Sequence, residues 1–157
     1  MITEPVLILV ATMGGTATFV ADEMADALKA KGIKPFLVPM EKAALAMFDT
    51  RKLFIICSST HGNGDIPDNS VAFFDALRDQ RPDLSDVRYG TVALGDMTYS
   101  ASFCGGGAQF DDLFADLGAT RLVDRLEHDR QGGTFPEEEA VAWLDGWLEA
   151  ANAHQPA

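Results

Sequence analysis

The chain has 157 residues, is 47% hydrophobic and has a mean hydropathy of +0.02, which are values of an ordinary globular domain. We therefore expect a single domain over residues 1–157. The formal net charge of −12 repels a phosphate backbone and argues against nucleic-acid binding. Acids and bases balance over residues 1–57, so the whole excess lies in residues 58–157. That excess predicts either a solvated surface or an acidic docking face for a basic partner.

Targeting signals are not evident in the sequence. The longest N-terminal apolar run, Val6 to Ala11, is far too short to span a bilayer, and no basic segment precedes it. We therefore expect a cytoplasmic protein without membrane association. Cys57 and Cys104 have no metal-ligand spacing, which favours reduced, half-buried thiols over a disulfide and predicts no metal site.

Strand-like and helix-like segments alternate along the chain. The predicted strands are PVLILVAT (5–12), KPFLVPM (34–40), KLFIICS (52–58), RYGTVALG (88–95) and TRLVDRLE (120–127). The first and third are continuous apolar runs, typical of strands covered on both faces. The second strand is expected near a sheet edge, because its prolines remove hydrogen-bond donors.

Four helices are predicted between and after these strands. The first runs from Thr16 to about Lys31, and the second is capped by Asn69 or Ser70. The third has its apolar pattern at Phe110, Leu113, Phe114 and Leu117, and it ends at Gly118. The last carries Trp143 and Trp147 in its core face and follows a capping box of Thr134 and Glu137, with Pro136 in the first turn.

Five strand–helix units favour a parallel sheet covered on both faces, which binds ligands beyond the carboxyl ends of its strands. Three of those ends run into loops rich in glycine and hydroxyl groups: TMGGTAT (12–18), SSTHGNGD (58–65) and GDMTYSASFCGG (95–106). We call them the first, second and third rim loops. Three such loops at one edge predict a binding site there.

The first rim loop has the chemistry of a phosphate cradle. Gly14 and Gly15 allow close backbone approach, Thr12, Thr16 and Thr18 offer hydroxyls, and a helix N-terminus follows. A plain glycine turn is the simpler alternative. No lysine follows the glycines as a P-loop requires, and the GxGxxG dinucleotide fingerprint is absent.

Together, TMGGTA, SSTHGNGDIPDN and LGDMTYSASFCGG resemble the three flavin mononucleotide (FMN) binding loops of flavodoxins and of the FMN domains of diflavin reductases. The second is especially similar to MioC-type flavodoxins. The resemblance implies a flavodoxin-like α/β three-layer sandwich with a five-stranded parallel sheet of order 2-1-3-4-5. No long insertion splits the fifth strand, so the chain resembles the short-chain type.

The resemblance also implies roles for individual residues. The phosphate would be held by Thr12, Met13, Gly14, Gly15, Thr16, Ala17, Ser59 and Thr60. The isoalloxazine ring would be bracketed by His61, Gly62, Asn63, Gly64, Asp65, Leu94, Gly95, Asp96, Tyr99, Phe103 and Cys104. Tyr99 matches the aromatic residue that stacks on the outer ring face. The peptide between Gly62 and Asn63 matches one that flips when the flavin is reduced, and both residue types tolerate positive φ.

Three positions depart from the family pattern. Gly14 replaces a hydroxyl residue, and His61 stands where many flavodoxins have Trp or Tyr. Three residues, not two, separate Tyr99 from Phe103. Because His61 is expected at the ring, we predict that reduction potential or FMN affinity depends on its titration. His128 gives no functional signal.

The implied function is electron transfer by bound FMN, without a catalytic acid or base. The implied partners are a flavodoxin/ferredoxin–NADP reductase and acceptor enzymes such as biotin synthase, docking on the acidic flavin rim of a monomer. Two alternatives are a flavodoxin-like NAD(P)H:quinone oxidoreductase and a binding module that has lost FMN.

Overall fold

A computed structural model describes residues 2–12, 15–60, 65–95 and 104–153. The strands are β1 (Val6–Ala11), β2 (Pro35–Pro39), β3 (Leu53–Ser58), β4 (Arg88–Gly95), β5 (Thr120–Arg121) and β6 (Leu126–Asp129). The α-helices are α1 (Thr16–Ala30), α2 (Val71–Gln80), α3 (Gly105–Asp116) and α4 (Pro136–Ala153). Short 3-10 turns span Met40–Lys42, Leu45–Asp49, Asp68–Ser70 and Arg130–Gly132.

The sheet is parallel with strand order β2-β1-β3-β4-β5, which confirms the predicted fold class and order. β2 pairs only with β1 among the described strands and lies at an edge, as its prolines predict. The predicted fifth strand is wrong as one continuous element. Its first part, β5, and its second part, β6, each pair with β4, and four residues interrupt it at 122–125.

Apolar side chains on the two faces of the sheet form two separate cores. Ile8 packs with residues of α1 and α4, whereas Leu7 and Leu9 pack with residues of α2 and α3. This division confirms the three-layer sandwich and explains why β1 and β3 are continuous apolar runs, since both of their faces are buried.

Close packing of α4 on β4 requires a glycine at position 90. A Cβ atom there would lie 2.5 Å from the indole ring of Trp147, whose side chain is fully buried. Trp143 stacks beside it with ring centroids 6.4 Å apart and donates its indole N–H to Asp124 O. Both tryptophans therefore fix the last helix against the sheet, as predicted for its core face.

The interruption in the fifth strand faces a buried carboxylate. Asp111 of α3 is 1% exposed and accepts from Arg121 Nε at 2.8 Å, from Arg125 Nη1 at 3.0 Å and from the Tyr89 hydroxyl at 2.6 Å. Arg121 is the last residue of β5 and Arg125 is the last residue of the break, and both side chains bind the Asp111 carboxylate of α3. Burial and the Asp111 carboxylate both raise the pKa of Tyr89, which keeps the phenol protonated.

Neither predicted helix cap forms through its side chain, although Ser70 does occupy the N-cap position of α2. The Ser70 hydroxyl donates to Pro67 O at 2.6 Å, and among the described residues no side chain makes a capping hydrogen bond to α2. The Thr134 hydroxyl donates to Glu139 Oε2 at 2.7 Å, whereas the backbone N–H groups of Glu138 and Glu139 bond to Phe135 O. Ser70 has αR backbone angles instead of the extended ones typical of a capping residue, and Thr134 lies two residues before the first residue of α4.

Across the described segments, no helix is both long enough and apolar enough to cross a membrane.

Candidate functional site

The pairing register of three strands brings the bases of the rim loops together. Ala11 at the end of β1 pairs with Ser58 of β3, and Ser58 pairs with Ala93 of β4. The Ser59 N–H then donates to Ala11 O at 2.9 Å, one step beyond the sheet. The three loops therefore leave the sheet side by side at one level, as the sequence predicts for a site at the carboxyl edge.

The first rim loop ends in an open helix N-terminus. Gly15 has φ +89° and directly precedes α1, and a Cβ built on it meets nothing within 4 Å. Within the described residues no side chain caps α1, so the first-turn N–H groups of Thr16, Ala17 and Thr18 are available to a ligand. The positive end of the helix dipole and the free N–H groups together form an anion-binding position.

Thr12 adds a side-chain hydroxyl to this anion-binding position. Its Oγ1 accepts from the Gly15 N–H at 3.0 Å, which leaves its hydroxyl hydrogen for an acceptor such as a phosphate oxygen. The N–H groups of the first turn of α1 and the Thr12 hydroxyl are neutral donors, and such donors suit the phosphate monoester that the predicted cradle would hold. The residues present therefore fit the phosphate of a flavin nucleotide.

Asn69 connects the first rim loop to the segment after the second. Its Oδ1 accepts from the Thr12 N–H at 3.0 Å, and its Nδ2 donates to Val10 O at 3.2 Å. The sequence analysis considered Asn69 only as a helix cap and missed this bridge. The sequence carries no signal for this bridge, because an amide side chain does not indicate a partner 57 positions away.

Thr60 and Ser59 lie where the second rim loop begins. Thr60 Oγ1 donates to Leu94 O at 2.9 Å and accepts from the Gly106 N–H at 3.1 Å. A Cβ atom on Gly106 would overlap the carbonyl oxygen of Ser59. The base of the second loop is thus packed directly against both ends of the third.

The two cysteines lie beneath this edge, and neither is half-buried as predicted. Cys57 and Cys104 are both fully buried and free. The Cys57 thiol donates to Ala17 O at 3.4 Å and the Cys104 thiol to Ala93 O at 3.3 Å. Burial raises the pKa of each thiol to about 12, so both are protonated at neutral pH. Since the Cys104 side chain points inward, only its backbone is left to face a ligand.

The predicted site residues divide into two groups. The structure brings ten of them to the carboxyl edge: Thr12, Gly15, Thr16, Ala17, Ser59, Thr60, Asp65, Leu94, Gly95 and Cys104. The others lie outside the described residues: Met13, Gly14, His61, Gly62, Asn63, Gly64, Asp96, Tyr99 and Phe103. The cofactor-binding roles of both groups stay predictions.

His128 has a structural role that the sequence analysis missed. It is 4% exposed in β6, next to Leu94 in the sheet register, and its Nε2 lies 3.1 Å from Thr134 O and 3.3 Å from Glu139 Oε2. The imidazole therefore ties the turn after β6 to the first turn of α4. A histidine at the end of a short strand gave no sequence pattern from which to infer this.

Acidic residues surround the carboxyl edge. Asp65 and Asp68 are exposed after β3, and the first turn of α4 carries three successive glutamates, Glu137 to Glu139. Among the described residues, three large apolar side chains are exposed in or just before the first turns of the helices that begin at this edge: Phe19 at 51%, Val71 at 41% and Phe135 at 62%. The edge therefore combines negative charge with isolated apolar surface.

A doubly covered parallel sheet of this order, with a helix N-terminus and three converging loops at its carboxyl edge, defines an α/β nucleotide-binding domain of the flavodoxin type. The flavodoxin family model matches residues 8–143. Protein MioC of Escherichia coli K12 is 36% identical over 150 residues, covering 90% of this chain and 94% of that protein. Flavodoxin YqcA of Pectobacterium carotovorum is 37% identical over 150 residues, covering 93% and 96%.

Solved structures agree with these relatives. A flavodoxin from Pseudomonas aeruginosa, solved as a cysteine-to-alanine variant, superposes with a TM-score of 0.84 at 33% identity, covering 94% of this chain and 99% of that one. The chain belongs to the flavodoxin family. Membership implies a flavin cofactor and an electron-transfer function.

Proposed function

We propose that this flavodoxin binds FMN and transfers single electrons from a flavodoxin/ferredoxin–NADP reductase to acceptor enzymes. The observation that carries the proposal is the uncapped N-terminus of α1, where three N–H groups and the Thr12 hydroxyl converge without a basic side chain. This donor set fits a terminal phosphate ester, which favours FMN among the flavins.

Bound FMN would supply one-electron chemistry, and the protein residues would bind it, orient it and set its potential. Thr12, Gly15 and the first turn of α1 would hold the phosphate. The ends of β3 and β4 would position the loops on both sides of the ring. Asp65 and its acidic neighbours would disfavour added negative charge at the ring and so make the reduced protein a stronger reductant.

The acidic edge supports docking to basic partners. No lysine or arginine occurs from Leu53 to Leu77 or from Tyr89 to Thr120, and these stretches include the second and third rim loops. A negative rim steers a positively charged reductase or acceptor toward the flavin and speeds association at low ionic strength. Biotin synthase is one acceptor of the kind that the family resemblance suggests.

A visible spectrum of the purified protein, recorded before and after FMN is added, tests the cofactor. The expected result is a flavin spectrum that is perturbed on binding, with FMN bound more tightly than riboflavin. Rapid oxidation of NADPH by the protein and FMN alone would indicate a reductase, whereas oxidation only with a flavodoxin reductase present supports a carrier. A protein that ignores added FMN would contradict the proposal.

A further inference from the structure

One hydroxyl group joins the base of the second rim loop to both ends of the third. Thr60 Oγ1 donates to Leu94 O at 2.9 Å and accepts from the Gly106 N–H at 3.1 Å. Leu94 precedes the stretch that carries Tyr99, the residue predicted to contact the outer ring face, and Gly106 follows it. Thr60 directly precedes the stretch that begins with His61, which is also expected at the ring. A single oxygen atom therefore connects the bases of the two segments expected to flank the ring.

The surrounding backbone is closely packed at these ends. A Cβ on Gly95 would lie 2.5 Å from Cys104 N, and a Cβ on Gly106 would overlap Ser59 O. The entry and exit of the third loop thus touch each other, and the exit touches the residue before Thr60. The hydroxyl lies in the middle of this contact and satisfies one carbonyl and one N–H at once.

The hydrogen-bonding capacity of Thr60 limits what else it can do. A threonine hydroxyl has one hydrogen to donate, and here that hydrogen goes to Leu94 O. A phosphate oxygen needs a donor, so the Thr60 side chain has none left to offer it. This differs from the role that the family resemblance assigns to Thr60.

We propose that Thr60 is a positioning residue for the isoalloxazine ring: its hydroxyl fixes the two ring-flanking loops relative to each other and takes no part in phosphate binding. The inference rests on the proposed FMN function and goes beyond it by assigning how the ring pocket is held. It predicts that removing the hydroxyl weakens the binding of FMN and of riboflavin, which lacks the phosphate, by the same factor.

The test compares three variants of the full chain. Thr60→Val removes the hydroxyl at nearly constant volume, and Thr60→Ser keeps it. Thr91→Val is the matched control, because the Thr91 hydroxyl is buried in β4 with no hydrogen-bond partner among the described residues. Dissociation constants for FMN and riboflavin are measured by quenching of flavin fluorescence, and the reduction potential of each FMN complex is measured against a reference dye.

The expected result for Thr60→Val is a roughly tenfold rise in both dissociation constants, the size expected when a bridging hydrogen bond is lost, with an unchanged ratio between them. The reduction potential shifts as well, since the surroundings of the ring change. Thr60→Ser restores wild-type values, and Thr91→Val leaves both affinities and the potential unchanged.

A second readout does not depend on flavin. Amide exchange of the Gly106 N–H, followed by nuclear magnetic resonance in the flavin-free protein, becomes faster in Thr60→Val and not in Thr91→Val. Protection of the flavin-free protein by inorganic phosphate against thermal unfolding is the same in wild type and Thr60→Val.

Two outcomes separate this inference from the proposed function. If Thr60→Val weakens FMN binding and leaves riboflavin binding unchanged, Thr60 serves the phosphate and the positioning role is wrong, while FMN binding itself stands. If the wild-type protein binds neither flavin, the proposed function fails and the inference fails with it. Unchanged Gly106 exchange in Thr60→Val also overturns the inference.

Discussion

The Thr12 N–H donates to Asn69 Oδ1 across 3.0 Å, although the two residues are 57 positions apart in sequence. The same amide donates from Nδ2 to Val10 O, so one side chain bonds to a backbone N–H and to a backbone carbonyl at the end of β1. Thr12 in turn supports the Gly15 N–H. The phosphate cradle is thereby held by a residue that follows the second rim loop.

Replacing Asn69 with alanine tests this bridge. The change leaves Val10 O and the Thr12 N–H without their partners, and each lost hydrogen bond costs about 1 kcal/mol. We expect FMN to bind about tenfold more weakly, measured by fluorescence titration. Asn152→Ala is the matched control: its Oδ1 accepts from the Ile2 N–H at the far edge of the sheet, so it lowers stability without changing flavin affinity. Equal effects of both variants on affinity would contradict the bridge.

A methyl group at Gly106 tests the close contact between α3 and the second rim loop. Because the added carbon would overlap the Ser59 carbonyl oxygen, Gly106→Ala should lower the free energy of unfolding by roughly 2–4 kcal/mol, measured by urea denaturation. Gly146→Ala is the control within an α-helix. A Cβ there meets nothing within 4 Å, and alanine should raise stability by roughly 0.5–1 kcal/mol. An unchanged free energy of unfolding in Gly106→Ala would show that the backbone at Ser59 can shift to make room for the methyl group, and it would contradict the prediction.

Asp111 is expected to stabilise the interrupted fifth strand. Asp111→Ala removes the carboxylate that Arg121, Arg125 and the Tyr89 hydroxyl share. The hydroxyl keeps the backbone carbonyl of residue 111 as an acceptor, and Arg125 keeps its pair with Glu127. Removing one partner of a buried pair costs roughly 3–5 kcal/mol, and partial solvent access of the two arginines reduces this to about 2 kcal/mol. Asp116→Ala, which breaks the exposed pair with Arg81, should change the unfolding free energy by less than about 1 kcal/mol. Thermal unfolding of the two variants checks the difference.

Because its thiols are buried, the folded protein should become less stable as the pH rises into the alkaline range. Burial raises the pKa of Cys57 from 9.0 to about 12, so an unfolded chain loses this proton at lower pH than the folded one. The stabilisation is complete below pH 9 and is lost as pH rises toward 12. Urea unfolding between pH 8 and 11 should show a declining free energy, with a smaller slope in Cys57→Ala. A disulfide reagent at pH 8 should react with both thiols only after unfolding.

Charge removal at the carboxyl edge tests docking. The double variant Glu137→Gln/Glu138→Gln lies in the first turn of α4, beside the exposed Phe135. We expect reduction by a flavodoxin reductase to become severalfold slower at low ionic strength and to equal wild type at high salt. The control Asp86→Asn/Glu149→Gln removes the same charge where β4 begins and α4 ends, at the opposite edge. A rate that does not respond to ionic strength in any variant would exclude electrostatic docking.

Much of the fold followed from the sequence because β1, β3 and β4 are buried on both faces. β4 begins at Arg88 and ends at Gly95, as predicted, since an apolar run flanked by a charged residue and a glycine marks its own limits. The break at residues 122–125 could not be predicted, because Leu122 and Val123 suit a strand. Arg121 and Arg125, at and within the break, bind a carboxylate on α3, a contact that no local pattern reveals.

The arrangement of the candidate site could be predicted, and its supporting contacts could not. Strand ends and glycine-rich loops predict that three loop bases and a helix N-terminus lie at one edge of the sheet, and the strand register brings them together there. The bonds made by Asn69 and Thr60 join residues 34 to 59 positions apart, and a hydroxyl or amide gives no sign of its partner in the sequence. The two predicted side-chain caps are missing for a related reason, because the sequence does not indicate the oxygen atoms to which the Ser70 and Thr134 hydroxyls donate.

The two tryptophans of the chain are neighbours on one helix, Trp143 and Trp147, with Trp147 packed on Gly90 of the central sheet. All tryptophan emission therefore comes from a single place between α4 and β4. An excited indole there can pass its energy to a flavin at the carboxyl edge, so the loss of emission on titration with FMN would report occupancy without a dye. Recovery of that emission during unfolding would separate release of the flavin from detachment of the last helix.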